Sequence, residues 1–393
     1  MKKVLFLGLS AGLLLYTLSP QWRSFDEMGQ RRFQALSQRP KEILVGVCWP
    51  FSVNQDGMAD GLQLALEEIN AGRLAGGVPF RLILRDDGFD WEKAKSIAVA
   101  FSDTPQMSAV LGYYDDSEAI KASSMFQSSR LLYLIVGANN TAMTTQGSQY
   151  IVRTILSSDK IARALARWSL KRGHRKVAVI WEEGGYGEDL AYQYRVAMDS
   201  LDMESAYQWS YARERADFRV PVSALKGIDA DLIFFAGLEP WAGDFLRMAR
   251  GVGIQTEILG AFSDTALMRV RAGRALEGAM YFDFYDPNSP SPENQAFLRK
   301  FRARYARDPD TWAAQGYDAL HILAKAVRAT GSANPLDLSY AIRLADPWVG
   351  ANGRYKFDQT GELEDKPLFL EVYRNGTPVM FQESLPVPEP PIQ

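Results

Sequence analysis

The stretch VLGYYDDSEAIKASSMF (110–126) sets two carboxylates, Asp115 and Asp116, where an apolar strand turns into a helix. In open α/β sheets the carboxyl ends of the strands face the ligand, and a helix start suits an anion. A carboxylate placed there works against an anionic guest. Two like charges 4 Å apart in partly screened surroundings repel by about 4 kcal/mol, or roughly three decades of affinity. Two uses remain. Asp115 or Asp116 meets a cationic, amide or hydroxyl-bearing group, or Asp116 caps the helix that begins at Ser117.

Other strand-end loops carry the same kind of residue. CWPFSVNQDG (48–57) offers Trp49 and Phe51 as walls, GYYDDS (112–117) adds Ser117 to the two aspartates, and VGANNT (136–141) brings Asn139. Further on, WEEGGYGE holds Tyr186, AGLEPWAG holds Glu239 and GAFSDT holds Asp264. Aromatic walls with a few convergent polar groups describe a small-molecule cleft. Any single aromatic there could equally pack between two halves of the molecule.

Catalytic patterns are missing. GLSAG lies inside the first twenty residues, no phosphate-binding GxxxxGK[ST] occurs, and no GxGxxG follows a strand. His174 falls in a basic turn, and His321 lies at helical spacing among Ala, Leu and Ile, where packing explains it. No nucleophile and base can be paired, so the sequence reads as a non-enzyme without a cofactor. Cys48 is the one cysteine, so there is no internal disulfide and no cysteine-based zinc site, and two isolated histidines do not make a metal site. A net charge of −3 gives no reason to expect nucleic acid as a partner.

The elements that must position these loops alternate regularly. ILVGVC (43–48), FRLILR (80–85), SAVLG (108–112) and LLYLIV (131–136) read as strands. Between them lie helical patterns, one carrying Met58, Leu62, Leu66 and Ile69 and one opening at Asp90 as its cap. A second set follows in KVAVIW, ESAYQWSY, DLIFFA and EILGA, then an extended GAMYFDFY, two helices after SPENQ and TWAAQ, and a β-rich GRYKFDQTGELEDKPLFLEVYRNG. Strand–helix alternation predicts parallel sheets flanked by helices. With 393 residues, 47% hydrophobic, the chain suits two Rossmann-like lobes with a cleft between them.

The ends have their own character. Lys2 and Lys3, an apolar run to Leu18 and Pro20 give residues 1–20 the layout of an export signal or a retained anchor. No small-x-small cleavage site and no cysteine follow, and the run is short for a spanning helix. Residues 21–41 read as a polar spacer, and 379–393 as a disordered Pro-rich tail.

Taken together, DGMADGLQLALEEIN, RDDGFDWEKAKSIAVAF, LGYYDDSEAIKASSMFQSSRLLYLIVGANNTAMT, RWSLKRGHRKVAVIWEEGGYGEDLA, ADFRVPVSALK, DLIFFAGLEPWAGDFLRMARGVGIQTEILG and GRYKFDQTGE, in this order, resemble the periplasmic solute-binding proteins of the leucine/isoleucine/valine type, which serve ABC importers. The resemblance runs from about Glu42 to Gly376. It implies the type I periplasmic-binding-protein fold, with lobe one from 42–156 plus 286–347 and lobe two from 157–285 plus 348–378. Three hinge crossings are then expected near 154–159, 281–287 and 346–351. It also implies an exported, periplasmic protein whose partners are a small-molecule ligand and the membrane subunits of an importer.

At the anchor positions the sequence departs from that family. The serine that binds the ligand carboxylate in amino-acid-binding members corresponds to Asp116, its threonine partner to Asn139, and the acid that receives the ammonium to Phe262. Tyr186 keeps the family residue. The resemblance therefore implies capture of a small polar or aromatic molecule, such as an amide, an amine or something amino-acid-like, by Trp49, Phe51, Asp116, Ser117, Asn139, Tyr186, Glu239 and Asp264. A membrane-anchored sensor domain of the same fold that binds a partner protein is the alternative.

Overall fold

The computed structural model describes residues 20–386 except 39, 40, 146 and 365. Two sheets organise it. The first contains β1 (Ile43–Trp49), β2 (Phe80–Asp86), β3 (Met107–Gly112), β4 (Leu132–Ile135) and β5 (Ile151–Arg153) in the order β2-β1-β3-β4-β5, all parallel. The second is built on β6 (Lys176–Glu182), β7 (Glu204–Tyr211), β8 (Leu232–Ala236), β9 (Glu257–Gly260) and β10 (Met280–Asp283). β11 (Trp348–Gly350) and β12 (Gly353–Tyr355) form a separate hairpin. β13 (Leu368–Arg374) and β14 (Thr377–Leu385) then extend the second sheet antiparallel to β10, in the order β14-β13-β10-β9-β8-β6-β7. Helices flank both sheets, as the alternation requires, and β1, β3 and β8 are buried along their whole length.

The same local chemistry recurs along the chain. Asp90 accepts from the backbone N–H of Glu92 and Lys93 and so starts the helix Trp91–Ser102, as its position predicts. The helix Met58–Ala71 buries Met58, Leu62, Ala65 and Ile69. It lies against the helix Thr311–Thr330 so closely that a Cβ on Gly61 would stand 2.0 Å from the carbonyl oxygen of Ala313. Gly112 closes β3 with φ +116, where a Cβ would meet the Cys48 oxygen at 2.0 Å. Tyr113, with φ +56, follows in the left-handed region, a strained setting for a non-glycine residue. This pair of turns buries the Tyr113 ring behind the sheet and sends Tyr114 and the aspartates the other way.

Two expectations at the ends are corrected. Residues 20–36 are a helix, not a spacer. Arg32 fixes it: its guanidinium is buried and donates to the carbonyl oxygens of Ser102 (2.6 Å), Thr104 (3.1 Å) and Ser129, at the C-terminal ends of two helices. Orphan carbonyls and the negative end of a helix both favour a cation there. Residues 377–385, mostly assigned to a tail, are the edge strand β14, folded back from β13 through Asn375 and Gly376, both at positive φ. The apolar run expected to serve as an export signal or anchor and residues 387–393 lie outside the described residues. No described helix is long and apolar enough to cross a membrane.

Candidate functional site

Between the carboxyl ends of the two sheets lies a cavity of about 670 Å³. All six loops singled out in the sequence reach its lining. Asp283, Phe284, Tyr285, Pro287, Asp310–Trp312, Phe89 and Glu371 line it as well. These carried no loop signal of the same kind, because Trp312 sits in the first turn of a long helix and Glu371 within a strand.

Six of the eight candidate residues hold places different from those their spacing suggests, or share them with structural duties. Trp49 is fully buried behind the wall, its indole N–H donating to Asp56 at 2.9 Å. Tyr114 and Trp312 form the surface over it, each ring centred 5.2 Å from the Trp49 ring. Phe51 packs into the core at the edge and does not line the cavity. Ser117 also stands outside the lining; a Cβ on Gly185 would lie 3.0 Å from its hydroxyl oxygen. Asn139 lines the cavity, but its amide donates to the Leu156 oxygen at 2.6 Å. Asp264 lines it too and is engaged by Arg269 and, at 2.7 Å, by the Tyr373 hydroxyl. Tyr186 and Glu239 line the cavity directly.

The sixth is Asp116. The helix begins one residue earlier than the sequence suggests, at Asp116, so the cap is Asp115, which accepts from Ser117 N–H at 2.8 Å. A run of Asp-Asp-Ser offers three adjacent cap formers, and the extended backbone at Asp115 selects the first. Asp116 is thereby released from capping. It is 1% exposed, its Oδ1 accepts from the Asn139 backbone N–H at 2.7 Å, and its Oδ2 has no partner. Burial pushes its carboxyl up to about 7; Asp115 and Asp189 add to this, while the Asn139 N–H and the Arg153 guanidinium oppose it.

The lining as a whole is acidic. Asp56, Asp115, Asp116, Glu239, Asp264, Asp283, Asp310 and Glu371 belong to it, and no Lys, Arg or His does among the described residues. Burial raises Asp283 to about 7 and Asp56 to about 6, and moves Glu239 and Glu371 upward as well. Several of these acids have structural partners. Asp56 accepts from Trp49 and the Met58 N–H, Asp310 caps the helix from Thr311, and Asp264 faces Arg269. No three Asp, Glu, His or Cys side chains converge as metal ligands among the described residues. His174 and His321 stand away from the cavity; burial lowers His321 to about 4.

Several polar links join the halves, two of them beside the cavity lining. Arg213, after β7, donates to Glu182 at 2.5 Å in its own half and reaches Asp115 of the other at 3.4 Å. Thr141, after β4, donates from its backbone N–H to Asp189 at 2.9 Å.

Two sheets with a cavity at their facing carboxyl ends are what residues 48–376 should form, because they match the model of the periplasmic binding protein family. The chain belongs to that family. Among curated relatives, a Leu/Ile/Val-binding protein homolog of Brucella suis is 25% identical over 82% of this chain and 87% of its own. Among solved structures, an ABC transporter substrate-binding protein from Desulfitobacterium hafniense in complex with Leu is 28% identical, with a TM-score of 0.78 over 86% of this chain and 100% of that one. A solute-binding protein of R. palustris in complex with benzoate shares the fold at 19% identity, with a TM-score of 0.75 over 88% and 98%. As a periplasmic binding protein the chain is a ligand-capturing component of transport, and its mixed α/β, two-lobed architecture agrees with these neighbours.

Proposed function

We propose that this protein captures a small organic molecule in the cavity between its two sheets and presents it to the membrane subunits of an ABC importer in the periplasm. The observation that carries the reading is the 670 Å³ cavity lined from both halves and bridged at its mouth by Arg213–Asp115 and Thr141–Asp189. Links that exist only when the halves approach each other favour a closed form, and a ligand touching both halves would shift the population toward it. In this reading Asp116 and Asn139 with Tyr114 and Trp312 form one side of the ligand site, and Tyr186 with Glu239 and Asp264 the other. Residues 1–20 would direct export, with the segment either removed or kept as an anchor.

The ligand would differ from those of the solved relatives. Leu and benzoate, bound by the two proteins above, each carry a carboxylate. Here Asp116 stands, buried with its Oδ2 unpaired, at the place where the family resemblance puts the carboxylate-binding serine. A thermal-shift screen of carboxylates, zwitterionic amino acids, amides, polyols and amines tests the capture reading, since a ligand that binds only the folded state raises the melting temperature by mass action. A saturable shift from any class supports it, and no shift from any class overturns it.

A further inference from the structure

We infer that the ligand is an organic amine that enters as a cation and carries no carboxylate. This rests on the capture reading above and names its ligand class. Three independent observations carry it: an acidic lining without a basic side chain, an unpaired buried carboxylate oxygen, and an aromatic surface beside it.

The Oδ2 of Asp116, 99% buried by its 1% exposure, borders the cavity with no donor facing it. A buried carboxylate oxygen without a hydrogen bond is costly, and an ammonium N–H is the donor that satisfies it while also cancelling the charge. A ligand carboxylate would do the opposite. Tyr114 and Trp312, ring centres 5.2 Å apart and nearly perpendicular, stand next to it with Phe89 in edge contact at 5.6 Å. Aromatic faces attract a desolvated cation and its apolar stem. Glu239 borders the same space without an ion-pair partner among the described residues; it accepts from its own backbone N–H, from the Thr265 hydroxyl and, at 3.5 Å, from Ser263 N–H.

A second acidic pole extends the pattern. Asp283 and Glu371, on adjacent strands β10 and β13, also line the cavity without a basic partner among the described residues. Burial is the largest cause raising the proton affinity of each; Glu371 adds to it at Asp283, and Asp264 and Asp286 add to it at Glu371. One ammonium group next to Asp116 leaves this pole unanswered. A diamine should therefore bind more tightly than a monoamine of the same chain length.

The test uses the full chain and calorimetry at pH 8 with butylamine, 1,4-diaminobutane, phenethylamine, butyramide, butyrate and leucine. The amines bind, 1,4-diaminobutane more tightly than butylamine, and butyrate and leucine do not. Asp116→Asn weakens the amine by about 10- to 100-fold, the size of a charge-assisted hydrogen bond, and Glu239→Gln weakens it less. Thermal melting of each unliganded variant separates lost binding from lost folding. Amine affinity falls by about tenfold or more between pH 8 and pH 5.5 as Asp116 takes up its own proton. The groups that face it are Asp115 and Arg153 from its own half, and Asp189 and Tyr186 from the helix across the cleft.

Leucine or butyrate binding more tightly than butylamine would overturn the amine assignment and leave the capture reading standing. Butyramide equal to butylamine would overturn it as well, since charge would then contribute nothing. Undiminished amine binding by folded Asp116→Asn would remove Asp116 from the site and the inference with it. Silence from all six compounds would reject the inference, and only silence across the wider screen would reject capture.

Discussion

Replacing Asp116 by Asn should make the unliganded protein more stable at pH 8 and no more stable at pH 5. The reasoning starts from burial. In the folded chain this carboxyl holds its proton up to about pH 7, against 3.8 for the free group, because ionisation inside the closed corner is poorly solvated. For a group whose folded value is raised, the folded state binds more protons than the unfolded one between those two values, so stability falls as pH rises from about 4 to about 7. The difference corresponds to a penalty on the order of 4 kcal/mol at pH 8. Asn keeps the acceptor for the Asn139 N–H and abolishes the charge. Its new amide N–H groups, lacking a partner where Oδ2 lies unpaired, give back about 1–3 kcal/mol. The net gain at pH 8 is therefore about 1–3 kcal/mol, a rise in melting temperature of a few degrees. At pH 5 wild type is already neutral there, and the variant should match it or fall slightly below. Differential scanning fluorimetry of ligand-free protein at both pH values reads this directly. An Asn variant that is less stable than wild type at pH 8, or shifted equally at both, would refute the burial reasoning.

Three other substitutions probe the frame around the site. Arg213→Ala removes the link to Asp115 and leaves Glu182 buried without the cation that opposes its upward shift, so it should cost about 1–3 kcal/mol at pH 8 and less as the pH falls; urea titrations at pH 8 and pH 5 measure this. The same variant should show a larger radius of gyration by X-ray scattering, because one of the cross-links between the halves is gone. Arg32→Ala uncovers the carbonyls of two helix ends and should cost about 1.5–3 kcal/mol, with faster amide exchange over residues 27–36 as the local signature. Gly112→Ala drives a Cβ into the Cys48 oxygen at a φ that L-residues rarely adopt, and a loss of more than about 3 kcal/mol or failure to accumulate as soluble protein is expected.

How far the sequence reaches depends on what sets each feature. Strand and helix alternation is a periodicity, so the parallel sheets and their C-terminal loops were readable from ILVGVC to EILGA. Asp90 as a cap was readable for the same local reason. The wall of the cavity was not. Trp49 and Tyr114 are both aromatic residues at strand exits, and only the left-handed turn at Gly112 and Tyr113 decides which one faces the ligand space. The choice between Asp115 and Asp116 as cap turned on one residue of helix start. β14 was concealed because the prolines at its end and beyond made 379–393 read as a tail, although an edge strand tolerates proline, as at Pro378, at a position that does not donate. Arg32 could not be read at all, since its partners are backbone oxygens about 70 and 97 residues away.

The Arg32 contact bears on where this protein begins as a unit of folding. The family match starts at residue 48 and the first strand at Ile43. A shortened chain designed from either boundary would lose the guanidinium and leave the carbonyls of Ser102, Thr104 and Ser129 without their donor. A product begun at Ile43 would contain every described strand and every lining residue, yet be frayed at two helix ends on the opposite side from the cavity. A piece that keeps these helix ends covered is longer than the recognisable one, and it starts upstream of Arg32.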